Sequence, residues 1–276
     1  MRLAILCASF NRVAVTLQGL ESLRNALASA PGLEWKIYLL DDASPDGTAE
    51  AVRTRFPDVR VIEGTGNLFW NQGMRRAQAA AREEGPWDAY LLYNDDSVLI
   101  RAAVVDFISR YDAYNREAPT ACVGSFLDPD SREPTYSGYA RKSRHFPLTV
   151  APVFPKGQDI ACDTFNGNFV MVPGVAFEAL GGLSPSYNHT YGDIDLGYGL
   201  GRNGVRRIVI GNPVGYASRN PPADLSTLSK RWKKHFGGPD SWRQHAAFYR
   251  RNTGSALWPA VMTLGLAARV KRALLG

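Results

Sequence analysis

The sequence predicts an α/β fold, in which a mainly parallel, doubly wound sheet is flanked by helices and followed by a helical C-terminal appendage. Two observations support this prediction. Short apolar runs alternate with segments of helical spacing over the first hundred residues. Closer to the C-terminus, aromatic and basic residues are interspersed in a stretch of helical character, from residue 226 to residue 276.

The first hundred residues contain four apolar runs with a helical pattern between successive runs. In the first such pattern, Leu17, Leu20, Leu23 and Leu27 recur every three or four residues, as on one face of a helix. Four strands separated by helices predict a parallel sheet. The expected strands are Leu3–Ala8, Trp35–Leu40, Val59–Glu63 and Ala89–Tyr93, and the expected helices are Val13–Ala28, Thr48–Phe56 and Asn71–Glu84.

Residues 101–218 show a weaker pattern. They contain a segment rich in Pro and Gly, residues 128–159, which we expect to be a long loop, and such loops are usually functional or mobile. The expected helices are Ala102–Tyr114 and Val175–Leu180, and the expected strands are Ala121–Phe126, Phe169–Val172 and Arg207–Ile210.

The composition is that of an ordinary globular protein. Hydrophobic residues make up 45% of the chain and charged residues 21%, which excludes disordered and collagen-like classes. Cys7, Cys122 and Cys162 are far apart and form no CxxC pair, so neither a zinc site nor a disulfide framework is expected, and a reducing compartment fits best. No apolar run reaches the ~18 residues that span a bilayer, so we expect a soluble or peripheral protein.

Positive charge is concentrated at the C-terminus. The formal net charge is +6, and residues 219–276 contain eleven Lys or Arg residues against two acids, Asp224 and Asp240. A basic segment of this kind can contact nucleic acid, anionic lipid or a phosphorylated acceptor. The alternative is a solvated face without a partner.

Polar clusters stand where the expected strands end. In doubly wound sheets, ligands bind beyond the carboxyl ends of the strands, so these clusters are candidate site residues. They comprise Asn11, Arg12, Asp41, Asp42, Asn67, Asn94, Asp95 and Asp96.

The cluster Asn94-Asp95-Asp96 directly follows the buried run Tyr90–Tyr93. Carboxylates at the end of a strand are well placed to hold Mg²⁺ or Mn²⁺ together with waters and a diphosphate. The alternative is a strand-end turn in which an Asp caps the following helix.

Two other segments in this half suit a nucleotide. A carboxylate of Asp41 or Asp42 can accept hydrogen bonds from a ribose hydroxyl or a base N–H, although the residues that follow form a good turn and helix cap. The glycines of residues 64–73 stand before a helix, where backbone N–H groups can contact phosphates, but their spacing matches no standard phosphate loop.

The second half contributes acids and amides. Asp193 and Asp195 share a face if the segment is extended and diverge if it begins a helix. Either could act as a general base towards a hydroxyl, whereas acids at a helix N-terminus are also favourable without catalysis. Asn166 and Asn168 flank a glycine, an arrangement that suits sugar hydroxyls or a simple hairpin turn.

Taken together, these segments resemble family 2 glycosyltransferases of the GT-A fold, including rhamnosyl and related transferases of bacterial surface polysaccharides. The resemblance covers roughly residues 3–216 and lies in the order and spacing of the motifs. The matching segments are Ala8–Arg12, Leu40–Thr48, Gly66–Gly73, Asn94–Asp96 and Gly192-Asp193.

The resemblance implies inversion at the anomeric carbon by a single displacement, with a Rossmann-like nucleotide-binding half. It implies that Asp193 is the catalytic base, with Asp195 in reserve, and that Asp96 binds Mg²⁺ or Mn²⁺. The implied donor-binding residues are Asn11, Arg12, Asp41, Asp42, Asn67, Trp70, Asn94, Asp95 and Asn168.

Two positions depart from the family pattern. Gly192 stands where the family has Glu before the catalytic Asp, and Gly199 stands where it has Arg. Arg202 is a candidate substitute for that Arg. These departures concern how the diphosphate is held more than the role of Asp193.

The resemblance divides the chain into a GT-A domain, residues 1–218, and a basic helical extension, residues 219–276. Within the domain, residues 1–100 are the expected nucleotide-binding half and residues 101–218 the acceptor-binding half. The donor would be a UDP-, dTDP- or GDP-sugar, and the acceptor a glycan or a polyprenyl-diphosphate-linked sugar.

The extension suggests where the protein works. We expect a cytoplasmic protein that contacts the inner face of the membrane peripherally through residues 226–276. The alternatives for this segment are packing on the core and formation of a homodimer. Nucleic acid is disfavoured because no recognition motif accompanies the basic segment. One competing function is nucleotidyl transfer, but this sequence does not contain the Gly-rich loop with Lys or Arg that such enzymes have near the N-terminus. The other is that of a non-catalytic nucleotide-sugar binding module.

Overall fold

The computed structural model describes residues 1–219, 226–236, 242–254 and 256–275. Its strands are numbered in chain order: β1 Arg2–Ser9, β2 Glu34–Asp41, β3 Arg60–Glu63, β4 Ala89–Tyr93, β5 Val98–Leu99, β6 Thr120–Val123, β7 Phe126–Leu127, β8 Gly138–Arg141, β9 Val150–Val153, β10 Ile160–Ala161, β11 Thr164–Phe165, β12 Phe169–Pro173, β13 Arg206–Val209 and β14 Gly215–Tyr216.

The helices lie between these strands and at the C-terminus. They are α1 Val13–Leu27, α2 Thr48–Arg55, α3 Phe69–Glu84, α4 Arg101–Glu117, α5 Gly174–Ala179, α6 Gly192–Arg202, α7 Leu228–Phe236, α8 Trp242–Asn252 and α9 Trp258–Leu275.

The central sheet has eight strands in the order β10-β13-β6-β12-β4-β1-β2-β3. The four strands predicted from the first hundred residues are parallel neighbours, and β1 pairs with β2 along its whole length, from Arg2 with Glu34 to Ser9 with Asp41. Strand β12 runs antiparallel between β4 and β6. The predicted fold class, a mainly parallel α/β sheet flanked by helices, is confirmed.

Both faces of the sheet are covered, which explains why its strands read as unbroken apolar runs. On β1, Leu3 and Ile5 face a core cluster that includes residues of α1 and α4, whereas Ala4 and Leu6 face a second cluster built largely on α3. All four side chains are fully buried. The carboxyl ends of the parallel strands are therefore held at one rigid edge.

The segment 128–159 is more ordered than predicted. It contains β8 and β9, which pair antiparallel and, with β11, form a separate three-stranded sheet of order β11-β8-β9. Pro152 in β9 hides the strand pattern, because proline is tolerated only where no ladder N–H is needed, as on this edge strand. The single strand predicted at Ala121–Phe126 is divided into β6 and β7, which belong to different sheets.

The C-terminal part is helical in α7, α8 and α9, as predicted. Helix α8 contacts α6, and α9 contacts both α7 and α8. A cluster of buried aromatic side chains joins α8 to the segment before α6. Residues 220–225, 237–241, 255 and 276 of the predicted extension lie outside the described residues.

Among the described residues, we find no helix whose length and apolar character would let it cross a membrane.

Candidate active site

The carboxyl ends of β1 and β4 open into a cleft of about 510 Å³. Acidic residues predicted from three separate segments, Asp42, Asp96 and Asp193, all line it. The cleft also contains half of the other predicted site residues, namely Arg12, Trp70, Asn94 and Asn168. Asn11, Asp41, Asn67 and Asp95 lie next to it in sequence but are not part of its lining.

Asp42 organises the glycine-bearing loop after β3. Its Oδ1 accepts hydrogen bonds from the backbone N–H groups of Thr65 and Gly66, at 3.1 and 2.8 Å. Its Oδ2 accepts from those of Leu68 and Phe69, at 2.8 and 3.1 Å. One buried carboxylate therefore fixes the loop between β3 and α3, which borders the cleft.

Asp41 and Asn11 contribute to a turn at the rim of the cleft. The Asp41 carboxylate accepts hydrogen bonds from the backbone N–H and the hydroxyl of Ser44. The Ser44 Oγ in turn accepts from the backbone N–H of Asn11 at 2.8 Å. The turn that the sequence favours after Asp41 is therefore present, and the Asp41 carboxylate makes its hydrogen bonds within that turn. Asn67 is exposed on the neighbouring loop.

Arg12 joins the two carboxylates that follow β4. It pairs with Asp95 and, at 3.2 Å, with Asp96. Asp95 is fully buried and also accepts a hydrogen bond from the Thr16 hydroxyl at 2.6 Å. Burial raises the pKa of Asp95, while Arg12 and Thr16 oppose that rise. Asp95 therefore anchors Arg12 and α1 from behind the cleft.

Asp96 differs from Asp95 in facing the cleft. Its Oδ1 is buried and has no hydrogen-bond partner among the described residues. Those residues contain no group of three or more acidic, His or Cys side chains that could hold a metal ion. A single carboxylate still fits Mg²⁺ or Mn²⁺, because such ions commonly take their other ligands from waters and a substrate diphosphate.

Trp70 and Asn94 form the floor between the two halves. The indole N–H of Trp70 donates to the Asn94 side-chain oxygen at 2.9 Å. The backbone of Gly167 lies against the Trp70 ring, where an added Cβ would come within 2.6 Å of a ring carbon. Glycine is therefore required at this contact. The segment containing Asn168 connects β11 and β12, which lie in different sheets, so it is not a simple hairpin turn.

Asp193 lies in the first turn of α6 and faces the cleft. The backbone N–H of Gly167 donates to its Oδ2 at 2.9 Å. Burial raises the pKa of Asp193, and the N–H groups of Gly167 and Ile194 partly oppose this rise. A carboxylate with a raised pKa is a stronger base, as proton abstraction from a hydroxyl requires.

Asp195 points elsewhere because α6 is a helix already at Gly192, so residues two apart diverge. Its Oδ1 accepts from Asn252 Nδ2 at 2.7 Å, and Arg251 approaches its Oδ2 at 3.2 Å. Arg202 also donates to Asn252, at 2.7 Å. Neither Asp195 nor Arg202 lines the cleft.

Gly192, the first departure from the family pattern, has a clear packing reason. A Cβ at this position would lie 1.9 Å from Oδ1 of Asn71. Asn71 is fully buried, and its Nδ2 donates to the carbonyl oxygens of Ser184 and Tyr187 at 2.9 and 2.6 Å. The start of α3 thus holds the segment that precedes the base and occupies the space a larger residue 192 would need.

Several cleft residues were not predicted from the sequence. Phe10 and Phe69 are 52% and 41% exposed there, so they present aromatic faces to a ligand. His189 lies beside Phe69 with ring centroids 6.2 Å apart. An aromatic residue directly after the first strand was a usable signal for Phe10. The sequence held no such signal for Tyr136, His189 or Thr190, which reach the cleft through tertiary packing, whereas Asn166, noted with Asn168 from the sequence, also lines it.

The comparisons with known proteins agree with this geometry. The model of the glycosyl transferase family 2 matches residues 4–167. The chain is 25% identical over 212 residues to the N-acetylglucosaminyl-diphospho-decaprenol L-rhamnosyltransferase of Mycobacterium tuberculosis, in strains CDC 1551 / Oshkosh and ATCC 25618 / H37Rv. The match covers 67% of each chain.

Two solved structures are similar in fold. S. aureus TarS 1–349 in complex with UDP-GlcNAc superposes with a TM-score of 0.59 at 12% identity, covering 99% of this chain and 72% of that one. The mannosyltransferase PcManGT from Pyrobaculum calidifontis, in complex with GDP-Man and Mn²⁺, gives 0.56 at 16% identity, covering 98% and 75%.

The family match spans more than half of the chain and includes the loops that bring Arg12, Asp42 and Asp96 to the cleft. The protein therefore belongs to glycosyl transferase family 2 and is an inverting glycosyltransferase.

Proposed function

We propose that this glycosyltransferase moves a sugar from a nucleotide diphosphate donor to a hydroxyl of a glycan or polyprenyl-diphosphate-linked acceptor, in the synthesis of a surface polysaccharide. The observation that supports this most is the shared cleft of Asp42, Asp96 and Asp193. The relative from M. tuberculosis is described as acting on a decaprenyl-diphosphate-linked sugar, which suggests the same acceptor class.

Asp193 is the proposed base. It takes the proton of the acceptor hydroxyl while that oxygen forms a bond to the anomeric carbon of the donor sugar. The bond from the anomeric carbon to the diphosphate oxygen breaks in the same displacement, and the leaving diphosphate keeps the electron pair. Such general base catalysis contributes roughly 10²–10⁴-fold in rate.

Asp96 is the proposed ligand of Mg²⁺ or Mn²⁺, because it lines the cleft and its Oδ1 has no hydrogen-bond partner among the described residues. When bound, the cation offsets negative charge on the departing diphosphate. Arg12 adds a second positive charge beside Asp96. Asn94 supports this region through its hydrogen bond with Trp70, and Asp95 supports it by holding Arg12.

The rest of the donor site is proposed from position. Trp70, Asn168 and the loop held by Asp42 all border the cleft and are the proposed contacts of the donor. Asn11, Asp41 and Asn67 stand at the rim, where they could reach the base and ribose of a UDP-, dTDP- or GDP-sugar. The two exposed aromatic rings of Phe10 and Phe69 offer further contacts in the same region.

The test replaces Asp193 with Asn, which keeps the size of the side chain but removes the base. We expect kcat to fall by roughly 10²–10⁴-fold, with binding of the nucleoside diphosphate unchanged. The assay offers UDP-GlcNAc, GDP-mannose and dTDP-L-rhamnose with N-acetylglucosaminyl-diphospho-decaprenol as acceptor. Asp58→Asn, at an exposed position, is the matched control.

Unchanged turnover in Asp193→Asn would defeat the assignment of the base. Binding of a nucleotide sugar by the wild-type protein without any transfer would instead favour a non-catalytic binding module.

We further propose peripheral contact with the cytoplasmic face of the membrane through residues 226–276. Leu264 and Leu274 are 61% and 52% exposed along α9, Leu257 is 63% exposed directly before that helix, and Lys230 is exposed on α7, which contacts α9. Exposed apolar side chains near basic ones fit an interface of anionic lipids. A homodimer that covers this surface is the competing possibility.

Vesicle binding tests the membrane contact. We expect co-sedimentation with phosphatidylglycerol vesicles that weakens at high salt, and weaker binding after Leu264→Ser and Leu274→Ser. Val175→Ser is the control, because Val175 is 87% exposed on a distant helix. Binding that is indifferent to both leucine substitutions would contradict the proposed surface, and a concentration-dependent dimer lost in these variants would support the competing one.

A further inference from the structure

The backbone just before the catalytic helix adopts a conformation that needs support. Tyr191 has φ 76° and ψ −18°, the left-handed region, although it is not a glycine. Bulky residues rarely adopt this conformation unless their surroundings impose it. Asp193 is only two residues further along, so whatever holds Tyr191 also sets where the base points.

The ring of Tyr191 is held by the C-terminal part of the chain. It is buried, with 3% of its surface exposed. It stacks on Phe248 of α8, with ring centroids 4.8 Å apart, and lies 6.0 Å from the ring of His245 on the same helix. Tyr187 meets the same ring edge-on at 5.8 Å.

The hydroxyl of Tyr191 makes hydrogen bonds with side chains of both α8 and α9. Arg269 of α9 can only donate, so its Nη2 gives a hydrogen bond to the Tyr191 oxygen. The Tyr191 hydroxyl also lies 3.1 Å from Nδ1 of His245. Burial, followed by the charge of Arg269, lowers the pKa of His245 to about 4. The ring is thus neutral near pH 7, and the histidine tautomer sets whether the Tyr191 hydroxyl or Nδ1 is the donor in this hydrogen bond.

A second connection reaches the other face of the same helical turn. Asp195 is buried and accepts from Asn252 at 2.7 Å, beside Arg251 at 3.2 Å. Residues 191 and 195 of the first turn are therefore both fixed by α8. Asp193 lies between them and faces the cleft.

We propose that Tyr191, His245 and Arg269 are positioning residues for transfer: the C-terminal helices α8 and α9 brace the turn that presents Asp193 to the acceptor. This inference rests on the proposed role of Asp193 as base. It makes the C-terminal segment part of the transferase machinery, in addition to any contact it makes with a membrane.

The experiment uses the full chain and two conservative changes. Tyr191→Phe keeps the stacked ring and removes the hydroxyl, and Arg269→Met keeps the aliphatic stem and removes the donor. Lys271→Met removes one charge from the exposed side of the same helix and is the matched control. Hydrogen exchange of the peptide that covers residues 187–195 is measured without substrates. The kcat and the donor KM are measured with whichever of the three nucleotide sugars in the Asp193 assay the wild-type protein uses.

We expect exchange in residues 187–195 to accelerate about tenfold in both variants and not in Lys271→Met. We also expect kcat to fall at least tenfold while donor KM stays within about twofold, because the donor-side loop is untouched. Arg269→Lys, which keeps a donor, should recover part of kcat.

Exchange that is the same in Tyr191→Phe, Arg269→Met and wild type would overturn the brace. A decrease in kcat no larger than that of Lys271→Met would also overturn it. So would a decrease in the affinity for the nucleotide as large as the decrease in kcat. The exchange measurement needs no substrate, so it decides the brace even if wild-type protein transfers none of the sugars offered, a result that would count against the proposed function instead.

Discussion

At the scale of single residues, neighbouring carboxylates take different roles because their surroundings differ. Asp95 is buried behind the cleft and bound by Arg12 and Thr16, whereas Asp96 lines the cleft and has one oxygen without a hydrogen-bond partner among the described residues. Asp193 faces the cleft, whereas the Asp195 carboxylate is bound by Asn252 and Arg251 of α8. In both pairs one acid supports the structure and the other is available for chemistry.

Buried His245 predicts how stability changes with pH. Its folded pKa of about 4 lies below the ordinary 6.5, so the unfolded chain binds the proton more readily than the folded one. This contribution is complete above pH 6.5 and is lost as the pH falls towards 4. Between pH 7 and pH 5, the loss should be about 2 kcal/mol in the free energy of unfolding.

Urea unfolding at pH 7 and pH 5 measures this effect, with His245→Gln as the comparison. Gln can still accept a hydrogen bond but does not titrate, so its stability should fall less between the two pH values. Asp95 and Asp193, whose raised pKa values act in the opposite direction, are common to both proteins and cancel. Equal losses in the two proteins would contradict the prediction.

At the scale of elements, α3 and α6 meet where Gly192 lies against Asn71. Asn71 cannot swing away without losing its two hydrogen bonds to the segment before α6. The same contact explains why the family's glutamate has no room in this chain. The proposed diphosphate would therefore need other groups to hold it, and among the described residues Arg12 is the Lys or Arg side chain that lines the cleft.

This contact predicts the effect of a single methyl group. Gly192→Ala should destabilise the protein by about 1–3 kcal/mol, because the new Cβ would overlap the Asn71 oxygen. Gly199→Ala is the control in the same helix, since its Cβ would meet Leu180 at an ordinary 3.5 Å. That change should be neutral or stabilising, as alanine favours helices.

A double-mutant cycle with Asn71→Ala completes this test. Gly192→Ala should cost less in the Asn71→Ala background than in the wild type, and urea midpoints give the coupling energy. Strict additivity of the two changes would show that the predicted overlap does not limit residue 192.

At the scale of the whole molecule, the cleft is shared by the two halves of the domain. Residues of the first half line the proposed donor side, and the segment with Asp193 comes from the second half, tied to α3 by Asn71 and Gln72. The aromatic cluster with α8 adds the C-terminal segment to the same unit. The division at residue 218, predicted from charge and pattern, stays a prediction about folding units.

This arrangement predicts that a nucleoside diphosphate and the metal stabilise the protein together. With UDP, dTDP or GDP at 100 times its Kd and Mn²⁺ present, the free energy of unfolding should rise by about 2.7 kcal/mol, or roughly 5–10 °C in Tm. Mn²⁺ alone should have little effect, because the cleft offers it one carboxylate, and Asp96→Asn should remove the metal-dependent part. The same Tm shift in EDTA would argue against a metal role for Asp96.

The sequence by itself determined the α/β class, because apolar runs and helical spacing follow directly from which faces are buried. It also determined that Asp42, Asp96 and Asp193 belong to one site, because parallel strands deliver their carboxyl ends to one edge and the motif order matched the family. Asn11, Asp41, Asn67 and Asp95 were harder to place, since turn, anchor and ligand roles favour the same polar residues.

Only the tertiary structure decided which oxygen atoms remain available in the cleft. Whether Asp193 or Asp195 faces it depends on the residue at which α6 begins, and that residue is fixed by the packing of Tyr191 against α8. The strands β8 and β9 were likewise invisible in the sequence, because short edge strands containing proline lack an alternating pattern. Contacts between residues far apart in the chain set these features, and a local pattern contains no record of them.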